Sequence, residues 1–168
     1  MNTRPLLPAI ALSLVAFLGG CSRPAEEAHA HPDSEYDLVG AMASLQRWTD
    51  KLGRAGAAGN WPLADFYLHE MEEATEELAE AGVIYHEQPV SQLTGVMLKP
   101  AVESLEEAVK AKDAELFRTR YTTLVQTCNV CHSATGYGFI RVTEPVLSFN
   151  PWNQDFTPPA STPTPDGS

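Results

Sequence analysis

Residues 117–134 read FRTRYTTLVQTCNVCHSA, and the spacing inside this stretch decides how the chain folds. Phe117, Tyr121, Leu124, Cys128 and Cys131 recur at alternating intervals of four and three residues, the repeat of one face of an α-helix. Both cysteines therefore lie on the stripe that carries the core residues, and His132 follows the second directly. The pattern predicts a helix from about Asp113 to Ser133, ending on a Cys-x-x-Cys-His run.

Three more amphipathic stretches precede it. Ser34 and Asp37 form a capping box ahead of Leu38, Met42, Leu45, Thr49 and Leu52, with Trp48 beside the stripe. GRAGAAGN at 53–60 is expected to break that helix. Asn60 and Pro62 open a second one, with Ala64, Leu68, Met71, Thr75 and Leu78 in phase and Gly82 after its end. Its other face carries Asp65, Glu70, Glu72, Glu73, Glu76, Glu77 and Glu80 without a basic residue, which reads as a solvated face or a docking surface for a basic partner. The third stretch spans about 90–112, through Leu93, Met97, Ala101, Leu105 and Ala108. Pro100 inside it should kink the helix or begin a fresh segment. Four such helices joined by short links predict an all-α fold, an antiparallel four-helix bundle over residues 35–141. An irregular, proline-rich C-terminal tail follows over 142–168.

The N-terminus sets the compartment. MNTRPLLPAIALSLVAFLGGC has one early cation, Arg4, then an apolar run from Leu6 to Leu18, and small residues before Cys21. This is the form of a secretory signal over residues 1–20. LGGC resembles the bacterial lipobox, whose cysteine becomes the lipidated mature N-terminus; Ser22 after it resembles outer-membrane sorting. The expected location is the periplasmic side of a bacterial membrane, held through lipid on Cys21. Residues 21–34, with His29 and His31, read as a flexible tether. The 168-residue chain has 11 basic and 22 acidic side chains; loss of the leader with Arg4 leaves ten basic against 22 acidic, a net charge of about −12 that argues against nucleic acid and against electrostatic docking on anionic lipid.

With Cys21 given to lipid, only Cys128 and Cys131 remain. Zinc needs four ligands, and no second cysteine pair exists. A thioredoxin-type dithiol sits at a helix start beside a sheet, where the helix dipole lowers the thiol pKa; this pair ends a helix in an all-helical pattern. One covalently attached haem c uses two thiols at this spacing and the histidine beside them as the iron ligand. Cys128 and Cys131 are thus the thioether residues and His132 the proximal ligand.

A four-helix chain with Cys-x-x-Cys-His at the end of its last helix resembles the class II c-type cytochromes, the cytochrome c′ and c-556 group. Class I cytochromes c carry the motif near the N-terminus and a methionine downstream, and here no methionine follows Met97. Two departures stand out. Gly136 occupies the position at which the family usually has an arginine near the haem propionates, a role that Arg141 is expected to take; and the family tends to end soon after its motif.

The resemblance to the c-556 type implies a methionine near the start of the first helix as sixth ligand, a placement Met42 matches; the plain alternative for Met42 is a core or distal-pocket residue. Met97 and His86 are further candidates, while His69 falls on the charged face. Methionine ligation would make the protein a membrane-anchored periplasmic electron carrier. An open distal face would make it a five-coordinate haem protein binding NO or CO, and a third reading is a cytochrome subunit of a larger respiratory complex. No distal histidine–arginine pair points to a catalytic enzyme. The expected partner is a redox protein with a basic docking face. Class II relatives also pair through their first two helices, a homodimer that the acidic second helix would oppose.

Overall fold

The computed structural model describes residues 36–159. The leader, Cys21, the tether, Ser34 and the last residues of the tail lie outside the described residues. Those described are all-α: α1 (Leu38–Ala57), α2 (Trp61–Glu80), α3 (Val90–Leu93), a π-helical turn (Thr94–Leu98), α4 (Lys99–Glu103), α5 (Leu105–Ala111) and α6 (Ala114–Ala134). The isolated bridge between Tyr85 and Gln88 is their sole β-pairing.

α1 begins later than a Ser34 cap would give. Its N-cap is Asp37, whose side chain accepts from the Gly40 N–H at 2.9 Å. Gly40 makes room for it, since a Cβ there would lie 2.3 Å from the Asp37 carboxylate. α1 also runs on through Gly53-Arg54-Ala55-Gly56, where a break was expected. These glycines sit against α6: a Cβ on Gly53 would meet the Tyr121 ring at 2.4 Å, and one on Gly56 the Phe117 ring at 2.1 Å. The packing of two buried aromatic rings on a bare backbone outweighs the propensity cost of two glycines. The Tyr121 hydroxyl completes the contact by donating to the Thr49 carbonyl at 2.8 Å.

α2 starts as its sequence requires, with Asn60 accepting from the Leu63 N–H at 3.3 Å and Pro62 in the first turn. Buried Ser91 ties its end to α3: it accepts from the Val83 N–H at 2.7 Å and donates to the Leu78 carbonyl at 2.6 Å. The third stretch is segmented, and Pro100 is the cause. A proline ring collides with the carbonyl four residues back and brings no N–H. The turn before it widens accordingly, with the Lys99 N–H reaching the Thr94 carbonyl five residues away. Lys112, at φ +55°, ends α5, and Asp113 caps α6 through the Glu115 and Leu116 N–H groups.

α1 packs along α2, and α6 contacts α1, α4, α5 and the π turn. The core contains the expected stripes, among them Leu45, Leu52, Leu68, Met71, Leu78, Leu105, Phe117 and Leu124. Burial is uneven along two of them. On α1, Leu45, Thr49 and Leu52 are buried, but Leu38 and Met42 only half so; on α6, Phe117, Tyr121 and Leu124 are buried, but Cys128 and Cys131 only half so.

Beyond α6 the chain has no helix or strand up to residue 159, yet it is fastened throughout. Thr122 donates to the Glu144 carboxylate at 2.7 Å. Arg54, buried and paired with Asp50 at 2.6 Å, donates to the carbonyls of Val146 and Phe149 at 3.3 and 2.8 Å. The Trp152 indole donates to Asp50 at 2.6 Å, Gln154 meets the Tyr67 hydroxyl, Asn60 donates to the Thr157 carbonyl at 2.8 Å, and Phe156 is buried.

Gly56→Ala should lower stability by about 1–2 kcal/mol, because overpacking against Phe117 exceeds the gain in helix propensity. Gly95→Ala, which meets only the Ala79 Cβ at 3.7 Å, should be neutral or stabilising by up to about 1 kcal/mol. Denaturant melts of the two variants check the contrast.

Candidate functional site

The last turns of α6 place Cys128 and Cys131 one turn apart, half-buried and not joined to each other. Burial pushes the Cys128 thiol up from the ordinary 9.0 to about 11, with Cys131 adding to the rise, and burial raises Cys131 as well. Both are therefore protonated thiols at neutral pH, unlike the thiolate of a redox dithiol.

Helix α6 ends in a Schellman turn. The Tyr137 N–H donates to the His132 carbonyl at 2.7 Å and the Gly136 N–H to the Ser133 carbonyl at 3.3 Å, with Gly136 at φ +87°. That left-handed φ is one that favours glycine at 136. The Thr135 hydroxyl adds bonds to the carbonyls of Cys131 and His132 at 3.0 and 3.2 Å.

The reversal brings the chain back onto the motif. The Ile140 carbonyl lies 3.1 Å from His132 Nδ1. A carbonyl only accepts, so Nδ1 carries a proton, and in the neutral imidazole Nε2 is the nitrogen with the lone pair. Two residues on, Asn129, inside the Cys-x-x-Cys run, grips Val142 on both sides: its amide donates to the Val142 carbonyl at 2.9 Å and accepts the Val142 N–H at 2.8 Å.

The remaining expected residues fall as follows. Arg141 is exposed, its backbone held between Ile140 and Val142. Met42 is half-buried against the core, and Met97 is half-buried in the π turn. His86 is exposed, edge-on to Tyr85, whose ring centroid is 5.9 Å from that of Tyr137. His69 is exposed, 3.4 Å from Glu73. The acidic face of α2 is not without cations once folded: Lys99 from α4 pairs with Glu76 at 3.0 Å, and α5 brings Lys110, paired with Glu106, near Glu72.

Among the described residues no group of three or more His, Cys, Asp or Glu could hold a metal ion, and no helix is long and apolar enough to cross a membrane. Two unpaired thiols and one imidazole would fit a porphyrin-borne metal, the thiols as points of covalent attachment and the imidazole as a ligand to the metal. Comparison of the chain with protein-family models, with curated proteins and with solved structures finds no match. Sequence reasoning missed Asn129 and the Ile140 carbonyl. Gly136 directly after the helical stripe was a readable stop signal, whereas backbone acceptors leave no trace in residue type.

In the haem-free chain, Cys128 should react with iodoacetamide about tenfold more slowly than an ordinary thiol at pH 7. The thiolate fraction falls about a hundredfold, and the greater nucleophilicity of the more basic anion recovers about tenfold of that. Competitive alkylation followed by peptide mass spectrometry reads the rate.

Proposed function

We propose that this protein is a monohaem c-type cytochrome of the class II kind, an electron carrier held at the periplasmic side of a bacterial membrane through lipid on Cys21. The observation that carries the reading is the arrangement at the end of α6: two unbridged thiols one turn apart, and beside them an imidazole whose Nδ1 meets a carbonyl. Cys128 and Cys131 would hold the haem, each by adding its S–H across a vinyl group, which forms the carbon–sulfur bond, leaves the hydrogen on the other vinyl carbon and requires no oxidant. His132 ligates the iron through Nε2. Bound there, the haem supplies a one-electron Fe(III)/Fe(II) couple.

In this reading the helices form an antiparallel four-helix bundle. The three-residue link between α1 and α2, and the contacts of α6 with α1 and with α5, support that topology. It sets the start of α1 beside the end of α6, the two places at which the core stripes lose burial. Haem would complete the core there, with Met42 at the sixth position and Arg141 toward the propionates. Lipidation, location and the sixth ligand rest on sequence features, and the basic partner on the net charge of the chain.

Denatured protein from a host that matures c-type cytochromes should keep a pyridine haemochrome spectrum, and Cys128→Ser with Cys131→Ser should lose it. Haem that washes out of the denatured wild type ends the proposal. Oxidised protein should show the near-infrared band of methionine ligation, and Met42→Ala should abolish it and turn the iron high-spin. A high-spin wild type that binds NO would instead select the five-coordinate reading.

A further inference from the structure

We propose that Asn129 is a positioning residue for the proximal imidazole: by gripping Val142 it holds the Ile140 carbonyl against His132 Nδ1 and so sets how strongly the imidazole donates to the iron. The inference rests on the haem reading above and adds a role for a residue that the attachment motif leaves free.

The Asn129 amide is fully used. Besides the two bonds to Val142, its nitrogen donates to the Val125 carbonyl at 3.0 Å. This set of partners fixes the amide orientation. Turned over, its oxygen would face two carbonyls and its NH2 group an N–H, so three attractive contacts would become repulsive. Asn129 and His132 are three residues apart, on adjoining turns of one helix face. Their partners, Val142 and Ile140, are two apart on a chain running the opposite way, and Thr122 to Glu144 continues the sequence of contacts. Between the turn at Gly136 and the grip at Val142, the loop is spanned at both ends, and Ile140 lies inside the span.

The consequence follows from ligand chemistry. A proximal histidine whose other ring N–H donates to a carbonyl is more basic, and outer partners of this kind tune the metal as well as orient the ring. Donation favours Fe(III). Releasing Val142 frees the Ile140 carbonyl, weakens that hydrogen bond and raises the reduction potential.

The test uses the full-length holoprotein with thioether haem verified in each sample. Asn129→Leu, uncharged and of similar size, should shift the Fe(III)/Fe(II) equilibrium toward Fe(II) by about tenfold, about 59 mV for a one-electron couple. In the reduced, diamagnetic protein the His132 Nδ1–H should exchange with solvent slowly in the wild type and at least tenfold faster in the variant. Trp152→Phe cuts the tail's distant bond to Asp50 and should leave both readings within twofold of wild type. The proposal is overturned if Asn129→Leu leaves potential and exchange within twofold, or if Trp152→Phe moves the potential as far. Should Asn129→Leu fail to fold, rapid wild-type exchange of the Nδ1–H still refutes it and slow exchange supports it. A wild type without thioether haem would sink the haem reading itself, and this role with it, a result distinct from an unmoved potential in a haem-loaded chain.

Discussion

The contact on which the site depends is the one between His132 Nδ1 and the Ile140 carbonyl, 3.1 Å apart. An imidazole at a helix end has rotational freedom and two tautomers, and one fixed acceptor removes both ambiguities. The acceptor is backbone, so its position is set by the stretch from Gly136 to Val142. Gly136 reverses the chain, Asn129 fixes Val142, and Arg54, Asp50 and Trp152 hold the rest of the tail against α1. The stretch from Gly136 to Val142 is thereby part of the site, and not only its neighbour.

A second constraint is the uneven closure of the core. Large side chains and two glycine-backed aromatic rings fill the interior where α1 ends and α6 begins, with Gly53 and Gly56 under Tyr121 and Phe117. Where α1 begins and α6 ends, the in-phase residues are Leu38, Met42, Cys128 and Cys131, all half-buried. Apolar groups left partly wet forgo burial free energy of about 25 cal/mol per Å2. An apolar macrocycle bonded to the two thiols would cover them. In the haem reading function and stability would share one cause, since the residues that would carry the cofactor are ones the protein alone leaves half-buried.

Much of this was legible in the chain, for physical reasons that differ by element. The stripes of α1, α2 and α6 follow from helical period, and Asn60 with Pro62 from the capping needs of a first turn. Pro100 announced a disturbance, although its form, a widened π turn ending at Leu98, depends on how the neighbouring turns accommodate the ring. The glycines at 53 and 56 misled because propensity argues for a break, whereas the close approach of Phe117 and Tyr121 is a tertiary effect invisible to a local window. The tail reads as irregular, and its described residues, up to 159, contain no helix or strand. Its order comes from side chains reaching its backbone across 13 to 97 residues of sequence, which no periodicity reveals. The motif residues stand out in the sequence because their chemistry is in their identity; the carbonyl beside His132 does not.

The central claim is that Cys128 and Cys131 are bonded to one haem. It is tested most directly by intact-mass and peptide mass spectrometry of protein purified from a host competent in cytochrome c maturation, after alkylation under denaturing conditions. The account predicts a single haem mass on the peptide spanning Cys128 and Cys131, with neither thiol alkylated. Two alkylated thiols on a peptide that carries no haem mass would contradict it.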